Sequence, residues 1–342
     1  MVLDPATLDL VPRAAEVLGA LDGDPRFKLE LPAAQLEIVT PPAPDVARAA
    51  AALADARRTL AAALPARACF AGAGVHPFAA PEGALNAGGR YDAIAAEYGP
   101  VARRQLVFGL HVHVAVRGAE RALAVHDALR CHLPEIAALA TNGPYHDGRD
   151  SGLASVRPKI SETLPRQGVP PALGSWEGLA AAMRWGMRAG TLPEPAGWWW
   201  ELRLHPLHGT VELRVPDAQA TVADTAAVAA VAHALVVHLA GRHEAGEVLP
   251  VHPTWRIEEN RWSACRHGLA GTLADLDTGE RQPTRERLER LLDELAPTAA
   301  RLGCTAELEA ARGLLDANGA ERQRATGGPR AAAAWLAERF LG

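Results

Sequence analysis

The chain has 342 residues, of which 49% are hydrophobic and 22% charged, and its formal net charge is −5. This composition is typical of a soluble globular protein that buries a sizeable core. The net negative charge, without any run of Lys or Arg flanked by aromatic residues, argues against a nucleic-acid-binding protein. The length alone permits one large domain or two small ones.

The sequence also argues against secretion and membrane insertion. Met1–Leu10 has neither the basic flank nor the continuous apolar stretch of a signal peptide. The longest apolar segment, Thr225–Ala240, contains two histidines and is too short to span a bilayer. The four cysteines lie far apart without a C-x-x-C pair, which predicts reduced, structural thiols. We therefore expect a soluble, cytoplasmic protein with no membrane partner.

Three helical regions are predicted. Asp45 caps an Ala-rich helix that ends at about Leu64, before a proline. Thr221, with an aspartate three residues later, begins a helix to about Leu239 that Gly241 ends. From about residue 283 to residue 342 the pattern is helical, with apolar residues on one face at Leu288, Leu291, Leu292 and Leu295.

The strand-like segments share an unusual alternation. In each of them one face is apolar and the other carries Glu, His or Arg, because successive side chains of a strand point to opposite faces. The segments are Gln105–Val116, WWELRLHP, TVELRV, FKLEL and QLEI. Their polar sets are Glu30, Glu37, His111, His113, Glu201, Arg203, His205, Glu212 and Arg214. A solvated face normally mixes Lys, Thr, Ser and Glu, so this face is interpreted as a reaction trough.

The order of elements predicts an α+β fold. A short connection containing Gly209 joins the strand that ends at His205 to the strand that begins at Thr210, which predicts a hairpin. An antiparallel sheet with helices on one face follows from this arrangement. No linker or repeat divides the chain, so residues 1–342 are treated as a single domain with a helical C-terminal part.

The polar face has functional and structural interpretations. The pair His111-x-His113 suits zinc, but three or more carboxylate oxygens with one imidazole favour Mg²⁺ or Mn²⁺. Glu212 would then bind a cation, and Arg214 would hold a phosphate through two parallel hydrogen bonds. The alternatives are a structural histidine pair, two surface carboxylates at Glu30 and Glu37, and an ordinary surface ion pair between Glu212 and Arg214.

The Gly and Pro content of the segment Asn142–Arg157 predicts an irregular loop. Irregular connections of this length are often functional. Arg149 and Arg157 are therefore candidates to hold a substrate carboxylate or phosphate, and the alternative is a mobile surface loop with both arginines in water.

Several segments together resemble the carboxylate–amine ligase family, which contains the type-2 glutamate–cysteine ligases. They occur in the family's order and span most of the chain. The segments are GVHPF (74–78), GLHVHV (109–114), LPEIAALATNGPYHDGRDSGLASVR (133–157), GTVELRVPDAQ (209–219), ENRWSACRHGL (259–269) and GAERQR (319–324).

The resemblance implies a glutamine-synthetase-like catalytic sheet, with ATP and Mg²⁺ or Mn²⁺ as cofactors. ATP would phosphorylate the γ-carboxylate of glutamate, and the amine of cysteine or another amine would attack the acyl phosphate. The implied metal ligands are Glu30, Glu37, His111 and Glu212. Arg214 would contact the γ-phosphate, and Arg157 the substrate or phosphate. Arg203 is added as a nucleotide contact from the alternation pattern.

The chain departs from the family at its start. Members usually open with a Gly-x-Glu-x-Glu strand that supplies two further metal carboxylates, whereas Leu3-Asp4-Pro5 of this chain corresponds to the segment immediately after that strand. Poor ligase activity of the chain as written is therefore expected. The alternatives are a nucleotide-binding ligase homologue without catalysis, a phosphagen-kinase-like phosphotransferase and a zinc hydrolase. The sequence leaves the choice between a monomer and a homo-oligomer open.

Overall fold

In this computed structural model, which describes residues 1–191 and 197–342, short strands and longer helices alternate along the chain. The strands are β1 (Val2–Leu3), β2 (Phe27–Leu29), β3 (Leu36–Ile38), β4 (Cys69–Phe70), β5 (Val112–Ala115), β6 (Tyr145–His146), β7 (Arg149–Asp150), β8 (Leu202–His205), β9 (Thr210–Leu213), β10 (Thr272–Ala274) and β11 (Arg281–Pro283). The helices are α1 (Ala14–Gly19), α2 (Val46–Ala63), α3 (Gly89–Tyr98), α4 (Pro100–Arg103), α5 (Ala119–Leu129), α6 (Leu133–Leu139), α7 (Arg157–Ser161), α8 (Trp176–Arg188), α9 (Val222–Glu244), α10 (Thr254–His267), α11 (Thr284–Leu302), α12 (Thr305–Asp316), α13 (Gly319–Ala325) and α14 (Pro329–Glu338).

A three-stranded antiparallel sheet, in the order β5–β9–β8, occupies the middle of the fold. Its register places His113 on one side of Glu212 and Arg203 on the other. The predicted hairpin is confirmed, because His205 pairs with Thr210 and Gly209 adopts the positive φ of 61° that the turn requires. The sheet therefore fixes three of the candidate polar side chains in one row.

Helices cover the apolar face of this sheet, as predicted. Val211 and Leu213 of β9 are fully buried and belong to the same core as the apolar residues of α5, α6, α9 and α11. The predicted C-terminal face is also confirmed, since Leu288, Leu291, Leu292 and Leu295 are all buried in this core. The observed α+β architecture thus leaves the other face of the sheet for polar groups.

The two predicted helix starts are confirmed and one predicted end is wrong. The Asp45 carboxylate accepts a hydrogen bond from the first turn of α2 at 2.8 Å, and Thr221 Oγ1 does the same for α9 at 2.9 Å. Helix α9 continues through Gly241 to Glu244, and Gly246, with a φ of 84°, comes after its end. A glycine inside a helix costs only about 1 kcal/mol, so the left-handed glycine five residues later ends the helix instead.

Three expectations for strands and loops need correction. The strand predicted over Gln105–Val116 is regular only over Val112–Ala115, and before it Gly109 forms an isolated antiparallel bridge with Asp217 in a register shifted by one residue. The predicted continuous polar face is divided, since β2 and β3 form a separate hairpin. The loop expected over 142–157 contains the small β6–β7 hairpin, whose turn uses positive φ values at Asp147 and Gly148.

Two compositional expectations also have structural counterparts. All four cysteines are free thiols. Within the described ranges, α9 is the one helix long and apolar enough to cross a membrane, and most of that apolar length is buried inside the protein. This burial is the pattern of a core helix.

Candidate active site

Glu212, in the middle strand of the central sheet, is the hub of a charged cluster. Its side chain is 1% exposed, and Arg203 donates to it through Nε and, at 3.3 Å, through Nη2. Arg214 Nη1 donates to Glu212 Oε1 at 2.5 Å. Burial raises the pKa of a carboxyl group, but the two guanidinium groups outweigh this effect and lower the pKa of Glu212 to about 2. Glu212 is therefore ionised and its oxygens are bound to arginine.

Two histidines of the G-L-H-V-H-V segment border this hub. His111 Nδ1 lies 3.4 Å from Arg214 Nη1, and His113 Nε2 lies 3.7 Å from Glu212 Oε1. Burial lowers the pKa of both imidazoles, and the positive charge of Arg214 lowers that of His111 further. Neutral imidazole can accept a hydrogen bond from an arginine or ligate a metal. Both histidines are thus neutral imidazoles, which is the form that accepts a hydrogen bond or ligates a metal.

The β2–β3 hairpin contributes two carboxylates to the surroundings of Arg214. Glu37 is paired across the hairpin with Lys28, and Glu30 lies two residues beyond Lys28 on the same face. Burial and the charge of Glu30 raise the pKa of Glu37, whereas Lys28 and Arg214 oppose this rise. The two acids therefore lie close enough to repel each other, and their charges are felt by Arg214.

Arg157 lies beneath this cluster rather than at its surface. Its guanidinium is buried and donates to the carbonyl oxygens of Arg214, at 2.7 Å, and Val215, at 3.1 Å. Asp217 Oδ1 lies 3.6 Å from Arg157 Nη1 and balances its charge. A Cβ at Gly109 would approach Arg157 Nη2 to 2.5 Å, so the glycine makes room for this arginine. Arg157 thereby holds the backbone that carries Arg214.

Sequence reasoning missed a second buried ion pair in the support of the site. Arg261 Nε donates to Glu201 Oε2 at 2.7 Å, and Arg261 Nη2 donates to Glu201 Oε1. The Glu201 carbonyl accepts from the Arg214 N–H at 2.7 Å. Arg261 lies in the family-like segment ENRWSACRHGL, but no spacing rule relates residues 60 positions apart. The alternation pattern had placed Glu201 in the trough, whereas it forms a buried pair beneath it.

The predicted metal ligands do not surround one ion. Across residues 1–191 and 197–342, no group of three or more His, Cys, Asp or Glu side chains is arranged to hold a metal. Mg²⁺ nevertheless often takes only one or two protein carboxylates and completes its shell with waters and nucleotide phosphates. The mutually repelling pair Glu30 and Glu37 fits that mode, whereas the oxygens of Glu212 are already bound to Arg203 and Arg214.

The fold is that of the glutathione-synthesising ligases. It matches the crystal structure of glutamate–cysteine ligase from Francisella tularensis in complex with AMP with a TM-score of 0.64 and 12% identity, over 92% of this chain and 82% of that one. It also matches a bifunctional glutathione synthetase from Pasteurella multocida, with a TM-score of 0.64 and 15% identity, over 93% of this chain but only 48% of that one.

The sequence identifies the family within this class. The profile of glutamate-cysteine ligase family 2 (GCS2) matches residues 2–327, and the chain belongs to that family. A provisionally named glutamate–cysteine ligase 2-3 of Rubrobacter xylanophilus is 42% identical over 95% of this chain and 89% of its own length. A provisionally named glutamate–cysteine ligase 2 of Gloeobacter violaceus is 35% identical over 94% of this chain and 89% of its own length. The resemblance seen in the sequence is thus confirmed.

Proposed function

We propose that the protein is a cytoplasmic, ATP-dependent carboxylate–amine ligase that joins the γ-carboxylate of glutamate to the amine of cysteine or of a related amine. The observation that carries the proposal is the setting of Arg214. Its side chain is held by Glu212, its carbonyl is held by Arg157, and its charge interacts with those of Glu30 and Glu37. Anchored cations beside paired carboxylates suit the meeting of two anions, a nucleotide triphosphate and a carboxylate.

The proposed reaction has two steps. An oxygen of the glutamate γ-carboxylate attacks the γ-phosphorus of ATP, the bond to the β-phosphate oxygen breaks, and acyl phosphate and ADP form. The amine nitrogen then attacks the acyl carbon, inorganic phosphate leaves with the carbon–oxygen bond pair, and the nitrogen loses a proton. Both steps are limited by charge repulsion, so positioned positive groups supply most of the catalysis.

Arg214 and Arg203 are assigned to the transferring phosphate and the nucleotide. A planar guanidinium can give two parallel hydrogen bonds to phosphate oxygens, and Glu212 keeps both groups oriented before the nucleotide arrives. Arg157 is assigned a positioning role, because its polar atoms bind backbone carbonyls. The buried pair of Arg261 and Glu201 supports the same residue, because the Glu201 carbonyl accepts from the Arg214 N–H.

Glu30 and Glu37 are assigned to a Mg²⁺ or Mn²⁺ ion, which when bound would neutralise phosphate charge. His111 and Glu212 are assigned to its surroundings. The neutral imidazole of His111 can accept a hydrogen bond from Arg214 through Nδ1, and Glu212 retains the arginines. This division of roles narrows the four-ligand set inferred from the sequence to a carboxylate pair with two supporting groups.

The experiment is an isotope transfer. Glutamate labelled with ¹⁸O in its γ-carboxylate is incubated with the protein, Mg-ATP and a panel of amines that includes cysteine. A ligase transfers one labelled oxygen into inorganic phosphate, and mass spectrometry of the phosphate detects it. Phosphate on a guanidino nitrogen would instead identify a kinase, and nucleotide binding without phosphate release would identify a non-catalytic homologue. Either result would reject the ligase assignment.

A matched pair of variants tests the role of Arg214. Arg214→Lys keeps the charge but loses the planar fork, and we expect kcat to fall about 10²- to 10³-fold, as for the loss of one transition-state donor. Arg48→Lys is the control, because the Arg48 side chain is 76% exposed and its ion partner Asp45 is 3.7 Å away. Equal activity of the two variants would remove Arg214 from the mechanism.

A further inference from the structure

A cavity of about 480 Å³ lies beside α8, and its lining includes none of the residues of the Glu212 cluster. Its volume is in the range of small-molecule sites. Its lining contains two tryptophans and one arginine: Arg166, Ala182, Trp185, Gly186, Thr191 and Trp198. Trp198 belongs to the run Trp198-Trp199-Trp200, a feature of the sequence that the proposed mechanism leaves unused.

Arg166 is held in an unusual state on the wall of this cavity. Its backbone has a φ of 59°, a left-handed conformation that non-glycine residues seldom adopt and that clusters at functional sites. Its guanidinium lies over the Trp199 ring at 5.8 Å, and Nη2 donates to the Tyr98 hydroxyl at 3.1 Å. The buried Nε has no hydrogen-bond partner within residues 1–191 and 197–342. A buried donor without a partner is unfavourable, so the Arg166 guanidinium is left incompletely hydrogen-bonded on the cavity wall.

One hydrogen bond connects the cavity to the charged cluster. Arg203 Nη1 donates to the carbonyl oxygen of Trp198 at 3.0 Å, while Arg203 Nε donates to Glu212. Trp198 therefore lines the cavity and also contacts Arg203, which is assigned to the nucleotide. This link suits a substrate that reaches from the cavity to the cluster.

We propose that the cavity binds a planar aromatic group that carries a hydrogen-bond acceptor. The Trp185 and Trp198 side chains on the cavity wall suit stacking, and the Arg166 guanidinium on the same wall supplies hydrogen-bond donors. This inference rests on the proposed function in one respect, namely that the group belongs to a substrate other than glutamate. The two sources of this chemistry are the base of the nucleotide and the ring of an aromatic amine acceptor.

Calorimetry separates the two sources. Adenosine supplies the base without phosphates, inorganic tripolyphosphate supplies phosphates without the base, and ATP supplies both. If the base occupies the cavity, Trp185→Ala weakens adenosine and ATP binding about 5- to 150-fold and leaves tripolyphosphate unchanged. If an acceptor occupies it, adenosine binding is unchanged, and the KM of tyramine in the phosphate-release assay rises by a similar factor while that of cysteine does not.

Trp255→Ala is the matched control, because Trp255 is 61% exposed and Trp185 is 63% exposed. Arg166→Lys tests the donor, with a thermal melt to show that the variant folds, and we expect it to reproduce the loss seen in Trp185→Ala. The inference is overturned if Trp185→Ala binds adenosine, ATP and tyramine as Trp255→Ala does. It is also overturned if sedimentation shows that Trp185→Ala only dissociates an oligomer.

The outcomes also separate this inference from the proposed function. Loss of adenosine binding in Trp185→Ala, without phosphate release from the unchanged protein on any amine, would support the cavity and reject the ligase. Labelled phosphate release with unchanged binding in Trp185→Ala would support the ligase and reject the cavity.

Discussion

Replacing Glu212 with Gln removes one negative charge from the centre of the cluster and keeps nearly the same shape. The pKa of Glu212 falls from 4.5 to about 2 on folding, so the protein favours the charged over the neutral side chain by about 3 kcal/mol. Glutamine also brings an N–H₂ group against arginine donors that now find an oxygen. We therefore expect Glu212→Gln to lower the free energy of unfolding by about 3 kcal/mol at pH 7.

Urea unfolding followed by circular dichroism measures this change. Glu82→Gln is the control, since the Glu82 side chain is 42% exposed and accepts from Arg104 Nε at 2.9 Å. An exposed ion pair contributes only about 0–1 kcal/mol, so the control should change little. A loss below about 1 kcal/mol in Glu212→Gln would show that the buried charge is not stabilised by its arginines, and the proposed preorganisation of the site would be abandoned.

The pH dependence gives an independent check on the same variant. A carboxyl group whose pKa is lowered on folding contributes stability that is complete above its unfolded pKa of 4.5 and is lost as the pH falls through about 2. The stability difference between the protein and Glu212→Gln should therefore be constant from pH 7 to about pH 5 and narrow below pH 4.5. A difference that narrows between pH 7 and pH 6 would point to a histidine as its cause.

Three further variants test other parts of the structure. Glu37→Gln should weaken Mn²⁺ binding in the presence of ATP at least about tenfold, measured by electron paramagnetic resonance, because half of the proposed carboxylate pair loses its charge. Burial lowers the pKa of the His76 imidazole to about 4, so its contribution to stability is complete above pH 6.5 and falls towards pH 4. Between pH 6.5 and pH 5 we therefore expect the free energy of unfolding, measured in urea, to fall by about 1–2 kcal/mol less in His76→Gln than in the unchanged protein. Gly109→Ala should lower both the melting temperature and kcat, because its Cβ would approach the buried guanidinium of Arg157 to 2.5 Å. Its control is Gly241→Ala, which has open space around it on α9 and should stabilise the protein by up to about 1 kcal/mol.

Local signals in the sequence predicted much of the fold. Asp45 and Thr221 mark helix starts because each side-chain oxygen binds an N–H of the first turn, an interaction within three residues. The hairpin at Gly209 follows from backbone freedom at a single position. The prediction that α9 ends at Gly241 was wrong, because a glycine permits a helix to end but does not require it. The helix instead ends shortly before Gly246, the next glycine in the sequence.

Residue patterns predicted only the part of the site that depends on the alternation of side chains along a strand. Period-two patterning places Glu212 and Arg214 on one face of one strand, and the register of the sheet then adds Arg203 and His113. The hydrogen-bond partners of each polar group, and hence its role, depend on residues that are distant in the sequence. Arg157 binds carbonyl groups 57 and 58 residues away, which no residue pattern predicts.

The carboxylate pair Glu30 and Glu37 implies that the cation accompanies the nucleotide. The charge of Glu30 raises the pKa of Glu37, so the two acids repel each other, while Lys28, Arg90 and Arg214 act in the opposite direction. A triphosphate brings further negative charge towards the two acids, and one divalent cation held by them would remove this repulsion. We therefore expect ATP to bind at least about tenfold more weakly in EDTA than in Mg²⁺, measured by calorimetry at constant ionic strength. In Glu37→Gln one of the two acids is neutral, so EDTA should weaken ATP binding less in that variant. Equal ATP affinity with and without Mg²⁺ would mean that the arginines alone overcome the acids, and the assignment of Glu30 and Glu37 to a cation would fail.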